Sequence, residues 1–386
     1  MRSRAQWQAH PQGVAVGGLP LIGLRRLDEP SPGSAAFAVS VAPDGFPGSS
    51  DSRRSDPSAG AGLTSLPGSS AGSGTIAHPG PPDGPRSAPG PGSAAWSGSA
   101  AEFGAFASAA VFAGGAAREG AVGGGGRPLE GVRVLDLTRV IAGPVATRTL
   151  AAYGAEVLRV GAAHLPEVPG LVISTALGKR SCEIDLRTPE GAAAFRELVA
   201  SADVVVQSYR PGALARLGFG PRELAAMRAD AMGARRGLVC VDISAYGSRG
   251  PWAGRRGFDS LVQMACGIAH EQGEGARPVP LPAQVLDHAT GWLAALGAIA
   301  GLLRSEREGG SWHVELSLAR TALWLDGLGR VDGMAAPEPR VGDLLEEMES
   351  SFGKLTYVRA PGAVADVRPF WSAPPPRRGE HPPTWV

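Results

Sequence analysis

The fold is decided at residues 127–160, RPLEGVRVLDLTRVIAGPVATRTLAAYGAEVLRV. The apolar, β-rich run at residues 132–137 predicts a strand, and residues 145–153 predict a helix that ends at Gly154. Residues 155–160 predict a second strand. A strand, a helix and a strand within about thirty residues make a βαβ unit, so the two strands lie parallel in one sheet.

The same alternation continues along the chain. Further strands are predicted at residues 181–186, 203–207, 238–244 and 312–317, and further helices at 189–200, 221–227, 258–270 and 287–304. Thr188, Pro189 and Glu190 provide an N-cap, a proline at the first helical position and an acid in the first turn of one helix. This alternation predicts an α/β fold with a Rossmann-like parallel sheet and flanking helices.

The turn after residue 137 is the first place to expect a site, because open α/β sheets bind ligands at the loops that follow their strands. This turn has no G-x-G-x-x-G motif. Nothing in it therefore indicates a nicotinamide or flavin dinucleotide.

Composition and charge narrow the classes of function. The 386 residues include 37 Lys and Arg against 36 Asp and Glu, so net charge provides no attraction to nucleic acid or to a membrane. Cys182, Cys240 and Cys266 form no C-x-x-C pair, and we expect reduced thiols in a cytoplasmic protein. Residues 1–13 lack the apolar run of a signal peptide, and residues 292–303 are too short to span a bilayer.

Composition also divides the chain. Residues 28–126 are dominated by Gly, Pro, Ser and Ala, which cannot bury enough apolar surface to offset the entropy of ordering. We therefore predict a disordered low-complexity insertion there. The apolar run before it, at residues 14–24, predicts two short strands, and residues 331–386 form a tail that ends in the Pro-rich SAPPPRRGEHPPTWV.

Five sequence blocks resemble one family, in the same order. They are residues 127–160, GKRSCEIDLRTPEG at 178–191, ADVVVQSYRPGALARLGF at 202–219, LVCVDISAYGSRGPWAGRRGFDSLVQMACG at 238–267, and PAQVLDHATGWLAALGAIAGLLRSEREGGSWHVELSL at 282–318. The pattern resembles the class III CoA-transferases of the CaiB/BaiF type, which include formyl-CoA transferase and α-methylacyl-CoA racemase. The resemblance implies that residues 127–330 form the family's large Rossmann-like domain, in interlocked, ring-like dimers. Residues 1–27 also resemble a segment that precedes this domain in longer, fused members of the family.

Asp287 lies in VLDHATG, after an apolar run and at the start of a long predicted helix. From the residues alone, such an aspartate is most simply an N-cap, because its carboxylate can accept backbone N–H groups. The resemblance implies instead the family's nucleophile, which attacks an acyl-CoA thioester and forms a covalent aspartyl intermediate. The substrates are then an acyl-CoA and a carboxylic acid, with no permanently bound cofactor.

Position 258 separates the activities within the family. Racemase members place an acid/base histidine there, and Phe258 cannot transfer a proton, so the resemblance favours a transferase. Asp259 either orients the bound thioester or the nucleophile, or it is the N-cap of a helix. His288 is expected to be a packing residue, since adjacent side chains on a helix do not face each other. The other histidines are scattered, so no metal site is predicted.

Seven positions match family residues near bound CoA. The resemblance places the backbone of the first loop along the pantetheine, and the other side chains near the adenine and the phosphates, where guanidinium groups pair well. These positions are Val140, Ile141 and Ala142 for the pantetheine, and Ser208, Tyr209, Arg216 and Arg256 for the nucleotide.

Full-length members continue past the equivalent of Leu328 into a smaller domain, for which residues 331–386 leave no room. Two interpretations follow. Another chain contributes the missing half. Alternatively, the chain is a truncated or non-catalytic CoA-binding subunit.

Overall fold

A sheet of eight strands forms the centre of the described chain. The computed structural model describes residues 1–27, 37–38, 126–232, 237–273, 277–330, 340–364 and 367–386. Strands β1–β8 are, in chain order, Gly23–Arg26, Phe37–Ala38, Arg133–Leu137, Glu156–Gly161, Lys179–Glu183, Val204–Gln207, Val239–Ser244 and Trp312–Ser317.

The strand order shows how the sheet is wound. Across the sheet it is β2-β1-β8-β7-β6-β3-β4-β5, with β3 to β8 parallel and β1 antiparallel to β8. Counted from β3, the six parallel strands follow the order 3-2-1-4-5-6, which is that of the doubly wound Rossmann fold. The predicted α/β class and Rossmann-like sheet are confirmed. The order reverses between β3 and β6, and a crevice for a ligand is expected beyond the carboxyl ends of these two strands.

Ten α-helices accompany the sheet in the described ranges. Helices α1–α10 are Arg4–Ala9, Pro11–Gly17, Ala142–Ala152, Pro169–Thr175, Pro189–Ala200, Pro221–Met232, Asp259–Cys266, Ile268–Glu271, Val285–Glu308 and Leu318–Gly327. Thr188 caps α5 as predicted, since its hydroxyl accepts the Gly191 N–H at 3.0 Å. The single helix expected at 258–270 is wrong, because Gly267 takes a φ of 95° and separates α7 from α8.

Each face of the sheet carries its own apolar core. On one face, α3 and α9 cover side chains such as Val134, Val239 and Val314. On the other, α5 and α6 cover side chains such as Val205, and Phe195 meets Phe219 edge to face at 5.0 Å between ring centroids. Because both faces of the sheet are buried, the sequences of its central strands are continuous apolar runs.

Small residues bring α9 close to the sheet and to α3. A Cβ added at Gly297 would lie 2.6 Å from Val314, and one at Gly301 would lie 2.7 Å from Val239. This helix is long and apolar enough to cross a membrane by length and composition, yet more than half of its most apolar stretch is buried inside the domain. It therefore packs as a core helix.

The N-terminal segment is part of the same folded unit. The two strands predicted at residues 14–24 are wrong, because His10 caps α2, Pro11 opens it, and only β1 follows. Trp7 is fully buried. The buried Gln12 donates to the carbonyl oxygens of Tyr246 and Arg249, and it accepts the Trp252 N–H at 2.6 Å.

The C-terminal residues also return to the domain. After the hairpin Leu345–Ser350 and Gly353–Val358, here β9 and β10, residues 367–386 run beside β5. The Gly178 N–H donates to the Ala373 carbonyl and the His381 N–H donates to the Ser181 carbonyl, each at 2.8 Å. The predicted Pro-rich tail thus covers the outer edge of an edge strand, where missing proline N–H groups cost no sheet hydrogen bond.

The predicted disordered insertion at residues 28–126 lies almost entirely outside the described residues. The two-residue strand β2, which pairs with β1, and Gly126 are the described parts of that range. Disorder of this segment stays a prediction.

Candidate functional site

Two loops leave the sheet side by side where the strand order reverses. Strands β3 and β6 are neighbours, with Leu137 opposite Gln207 in the ladder. The loop after β3 carries Val140 and leads into α3, and the loop after β6 carries Tyr209. The positions expected along the pantetheine and two of those expected near the nucleotide therefore lie at the switch point of the sheet.

Val140 has a strained backbone. Its φ is 73°, which is rare for a β-branched residue because the side chain crowds the backbone. Strain of this kind persists only where surrounding contacts hold it, and it concentrates at binding sites. The sequence offered no signal for it, since nothing in TRVIAGP marks a left-handed residue.

The two arginines expected near the CoA phosphates are exposed. Arg216 lies in a short 3-10 helix, Ala215–Leu217, in the connection after β6. Arg256 lies in the loop that follows β7 and precedes α7. Ser208 is exposed and Tyr209 is half-buried, and all four residues lie in the connections that follow β6 and β7.

Asp287 and Asp259 are brought together although they are 28 residues apart. The Asp287 backbone N–H donates to the Asp259 carboxylate at 2.9 Å. The N-cap interpretation of Asp287 is wrong, because Gln284 holds that position and Asp287 lies in the first turn. The N-cap interpretation of Asp259 is wrong for its own helix, whose N-cap is Phe258. Its carboxylate instead satisfies a free N–H of α9.

Gln263, which the sequence analysis missed, holds Asp259 in place. It is fully buried, and its side-chain amide donates to the Asp259 carboxylate. Its carbonyl oxygen accepts the Leu281 N–H at 2.8 Å, so it also fixes the segment that leads into α9. A glutamine on an amphipathic helix carries no sign of such a role.

Burial controls the charge of Asp287. Loss of contact with water, and secondarily the nearby negative charge of Asp259, raise the pKa of Asp287 to about 7. Within the described ranges, no side chain donates a hydrogen bond to the Asp287 carboxylate. Near neutral pH such a group exchanges between a neutral acid and a poorly solvated, reactive carboxylate.

The α9 face that carries Asp287 turns towards α3. One turn further on, a Cβ at Gly291 would lie 2.6 Å from the Ala142 carbonyl oxygen, so the two helices touch there. His288 packs against Trp292 instead, with 6.4 Å between ring centroids, and burial lowers its pKa. The arrangement suits Asp287 as a nucleophile beside the β3–α3 loop, and His288 as a packing residue.

The described residues contain no group of three or more His, Cys, Asp or Glu side chains placed to hold a metal ion. All three cysteines are buried and unpaired. Burial raises the pKa of the Cys182 thiol to about 11, which keeps it protonated and unreactive near neutral pH.

Comparison with known proteins assigns the chain to a family. A model of CoA-transferase family III matches residues 129–340, more than half of the chain. The acetyl-coenzyme A transferase nodX of Hypoxylon pulicicidum is 35% identical over 52% of this chain and 34% of its own length. The succinyl-CoA:glutarate CoA-transferase of Mus musculus is 33% identical over 50% of this chain and 45% of its own.

A solved structure shares the fold. The crystal structure of Rv3272 from Mycobacterium tuberculosis, in its orthorhombic form, superposes with a TM-score of 0.57 and 23% sequence identity, covering 66% of this chain and 98% of that one. The chain spans between about a quarter and about a half of the length of the curated relatives that it matches. From the matched residues and the shared fold, the chain belongs to CoA-transferase family III.

Proposed function

We propose that this chain moves CoA between an acyl-CoA and a carboxylic acid through a covalent intermediate on Asp287. One observation carries the proposal: the Asp259 carboxylate accepts a hydrogen bond from the Asp287 backbone N–H. This bond fixes Asp287, whose buried carboxylate has a raised pKa, at the start of α9. Membership of a family whose named relatives transfer CoA supports the same reaction.

The reaction begins when an Asp287 carboxylate oxygen attacks the thioester carbonyl. The C–S bond breaks, CoA leaves as its thiolate, and a mixed anhydride joins Asp287 to the acyl group. The thiolate then attacks the aspartyl carbonyl, which gives an aspartyl–CoA thioester and releases the donor carboxylate. The acceptor carboxylate repeats these steps in reverse, forms the new acyl-CoA and restores Asp287.

We give the surrounding residues the roles that the family resemblance implies. Asp259 positions Asp287 through the backbone contact. The Val140–Ala142 backbone lies along the pantetheine, and Ser208, Tyr209, Arg216 and Arg256 border the nucleotide. Arginine forks suit the phosphates, and the exposure of both arginines supports these roles.

Chemical trapping tests the nucleophile. The chain is incubated with a panel of acyl-CoAs and hydroxylamine, and mass spectrometry is used to locate hydroxamates. Asp287 should be modified, whereas Glu190, an exposed acid in the first turn of α5, serves as the matched carboxylate that should not be. Asp287→Ala should fold and lose turnover. Full activity in that variant would remove Asp287 as the nucleophile.

Binding measurements test the CoA positions separately. Arg216→Gln and Arg256→Gln should each weaken binding of free CoA by about three- to tenfold, since each removes one exposed charge-assisted contact. Arg307→Gln, at the exposed far end of α9, is the control and should leave the affinity unchanged. Equal affinities in all three variants would contradict the placement of the nucleotide.

A second candidate function is a non-catalytic or truncated CoA-binding subunit that needs a partner chain for activity. It is favoured by four exposed apolar side chains on or next to α7 and α9, which a partner chain could cover. These are Phe258, Leu261, Trp292 and Leu296. Turnover by the purified chain alone would exclude this candidate, whereas CoA binding without turnover, and activity only with a co-expressed partner polypeptide, would support it.

We also propose a cytoplasmic location. The three buried, unpaired thiols support a reducing compartment.

A further inference from the structure

A buried ion pair lies behind the strained loop, and the reaction scheme does not use it. Lys179, the first residue of β5, places its ammonium 2.8 Å from the Asp136 carboxylate in β3. Both side chains have no exposure to solvent. Charges are rarely buried so completely unless they are fully paired, so the contacts of this pair show what it holds together.

The two carboxylate oxygens of Asp136 face different structural elements. Oδ1 accepts both the backbone N–H and the hydroxyl of Thr138, the first residue after β3. Oδ2 accepts the Thr147 hydroxyl of α3 at 2.6 Å and the Lys179 ammonium. One carboxylate therefore joins the start of the loop to the helix at its end.

Lys179 completes the link with its three donors. Besides Asp136, it donates to the Pro144 carbonyl at 2.9 Å and to the Thr147 hydroxyl at 2.7 Å, both in the first two turns of α3. Burial lowers the pKa of Lys179 to about 8, opposed by the Asp136 charge. For Asp136, burial is outweighed by the Lys179 charge and the hydrogen bonds, so its pKa lies below its ordinary value. Both groups are charged at neutral pH.

The loop itself closes against this pair. A Cβ at Gly143 would lie 2.3 Å from Thr138, so the first turn of α3 folds back on the residue that Asp136 holds. Val140 and Lys179 line the same cavity of about 30 Å³, together with Pro144. The strained Val140 backbone is thus held on both sides by the same ion pair, which binds Thr138 before it and Pro144 and Thr147 after it.

The geometry points to Asp136 and Lys179 as positioning residues that hold the Val140 loop in the conformation that receives the pantetheine of CoA. This inference rests on the proposed function. The first turn of α3 also meets α9 one turn beyond Asp287, so the same pair sets the distance between the loop and the proposed nucleophile.

The test compares two ligands on the full chain. Calorimetry measures the affinity for free CoA and for adenosine 3′,5′-bisphosphate, which has the nucleotide but no pantetheine. Lys179→Met should weaken CoA binding by about tenfold, because the loop relaxes from its strained form, and should change the affinity for the nucleotide less than about twofold. A general loss of structure would weaken both ligands alike, and that result would overturn the inference.

Matched variants keep the test decisive. Arg228→Met breaks another buried pair, Arg228 with Asp203 at 3.1 Å between α6 and the start of β6, and should leave the ratio of the two affinities unchanged. If Lys179→Met does not fold, Thr147→Val removes only the hydroxyl between the pair and α3, and Thr321→Val is its buried control on α10. A selective loss of CoA affinity in Thr147→Val supports the inference, and an unchanged ratio overturns it. Failure of the wild-type chain to bind CoA would instead refute the proposed function.

Discussion

The carboxylate of Asp259, at the start of α7, accepts the backbone N–H of Asp287, in the first turn of α9, at 2.9 Å. An acid from one helix thus satisfies a free donor of another, and its charge opposes ionisation of the second acid. Asp259 both fixes the place of Asp287 and contributes to the raised pKa of that residue, after burial. These two effects can be separated by experiment.

Asp259→Asn should move the acid limb of the pH–rate profile to lower pH. The amide oxygen can still accept the Asp287 N–H, but the negative charge is gone, so the pKa of Asp287 falls from about 7 while burial keeps it above its ordinary value. The measurement is kcat/KM against pH. Asp326→Asn, which removes a carboxylate of α10 paired with Arg4 and Arg330, is the control and should leave the limb in place. An unmoved limb in Asp259→Asn would contradict the electrostatic role.

Asp287→Asn should stabilise the folded chain at pH 8 but not at pH 4. The folded-state pKa is raised from 3.8 to about 7, so the folded state binds the proton more tightly, and stability is lost as pH rises through this window. Asparagine removes the cost of ionising the buried carboxylate. For a pKa shift of this size, that cost is between about 1 and 4 kcal/mol of the free energy of unfolding. Urea unfolding at both pH values measures it. Equal stability of wild type and variant at pH 8 would show that burial does not destabilise the carboxylate.

The sheet and its helices could be predicted because their signals are local. Apolar runs such as 203–207 mark buried strands, and Thr188 with Pro189 marks a helix start, so the order of elements followed without any tertiary information. Helix α2 was missed because residues 14–24 are apolar throughout, and the start of this helix depends on His10 and Pro11, which precede them.

The site could be predicted only in part. Asp287 and Asp259 were found through the family pattern, but their contact joins residues far apart in the chain. Gln263 and Lys179 act through buried hydrogen bonds to groups that only the folded chain brings near. No spacing or residue type in the sequence records such contacts.

Gln263→Leu should impair both stability and activity. The change leaves the Leu281 N–H without a partner and removes the donor to Oδ1 of Asp259, whose Oδ2 still accepts the Asp287 N–H; each lost buried bond costs about 1–3 kcal/mol. Because Asp259 then loses its fixed place, kcat should also fall.

Gln12→Leu is the matched control, since it removes an equally buried glutamine that bonds to the loop after β7. It should lose stability by a similar amount and keep kcat in the remaining folded protein. A normal kcat in Gln263→Leu would exclude the positioning role.

Gly291→Ala should separate α9 from α3. The added Cβ would lie 2.6 Å from the Ala142 carbonyl oxygen and 2.8 Å from Val145, and neither backbone nor a β-branched side chain can give way cheaply. Overpacking of this kind costs about 1–3 kcal/mol, measurable by thermal or urea unfolding. The shift also moves the β3–α3 loop relative to Asp287, so kcat should fall beyond what the unfolded fraction explains. Gly170→Ala, in α4 with no atom within 4 Å of the added Cβ, is the control and should be neutral or slightly stabilising. If Gly291→Ala behaved like Gly170→Ala, the close approach of the two helices would have no part in setting the site.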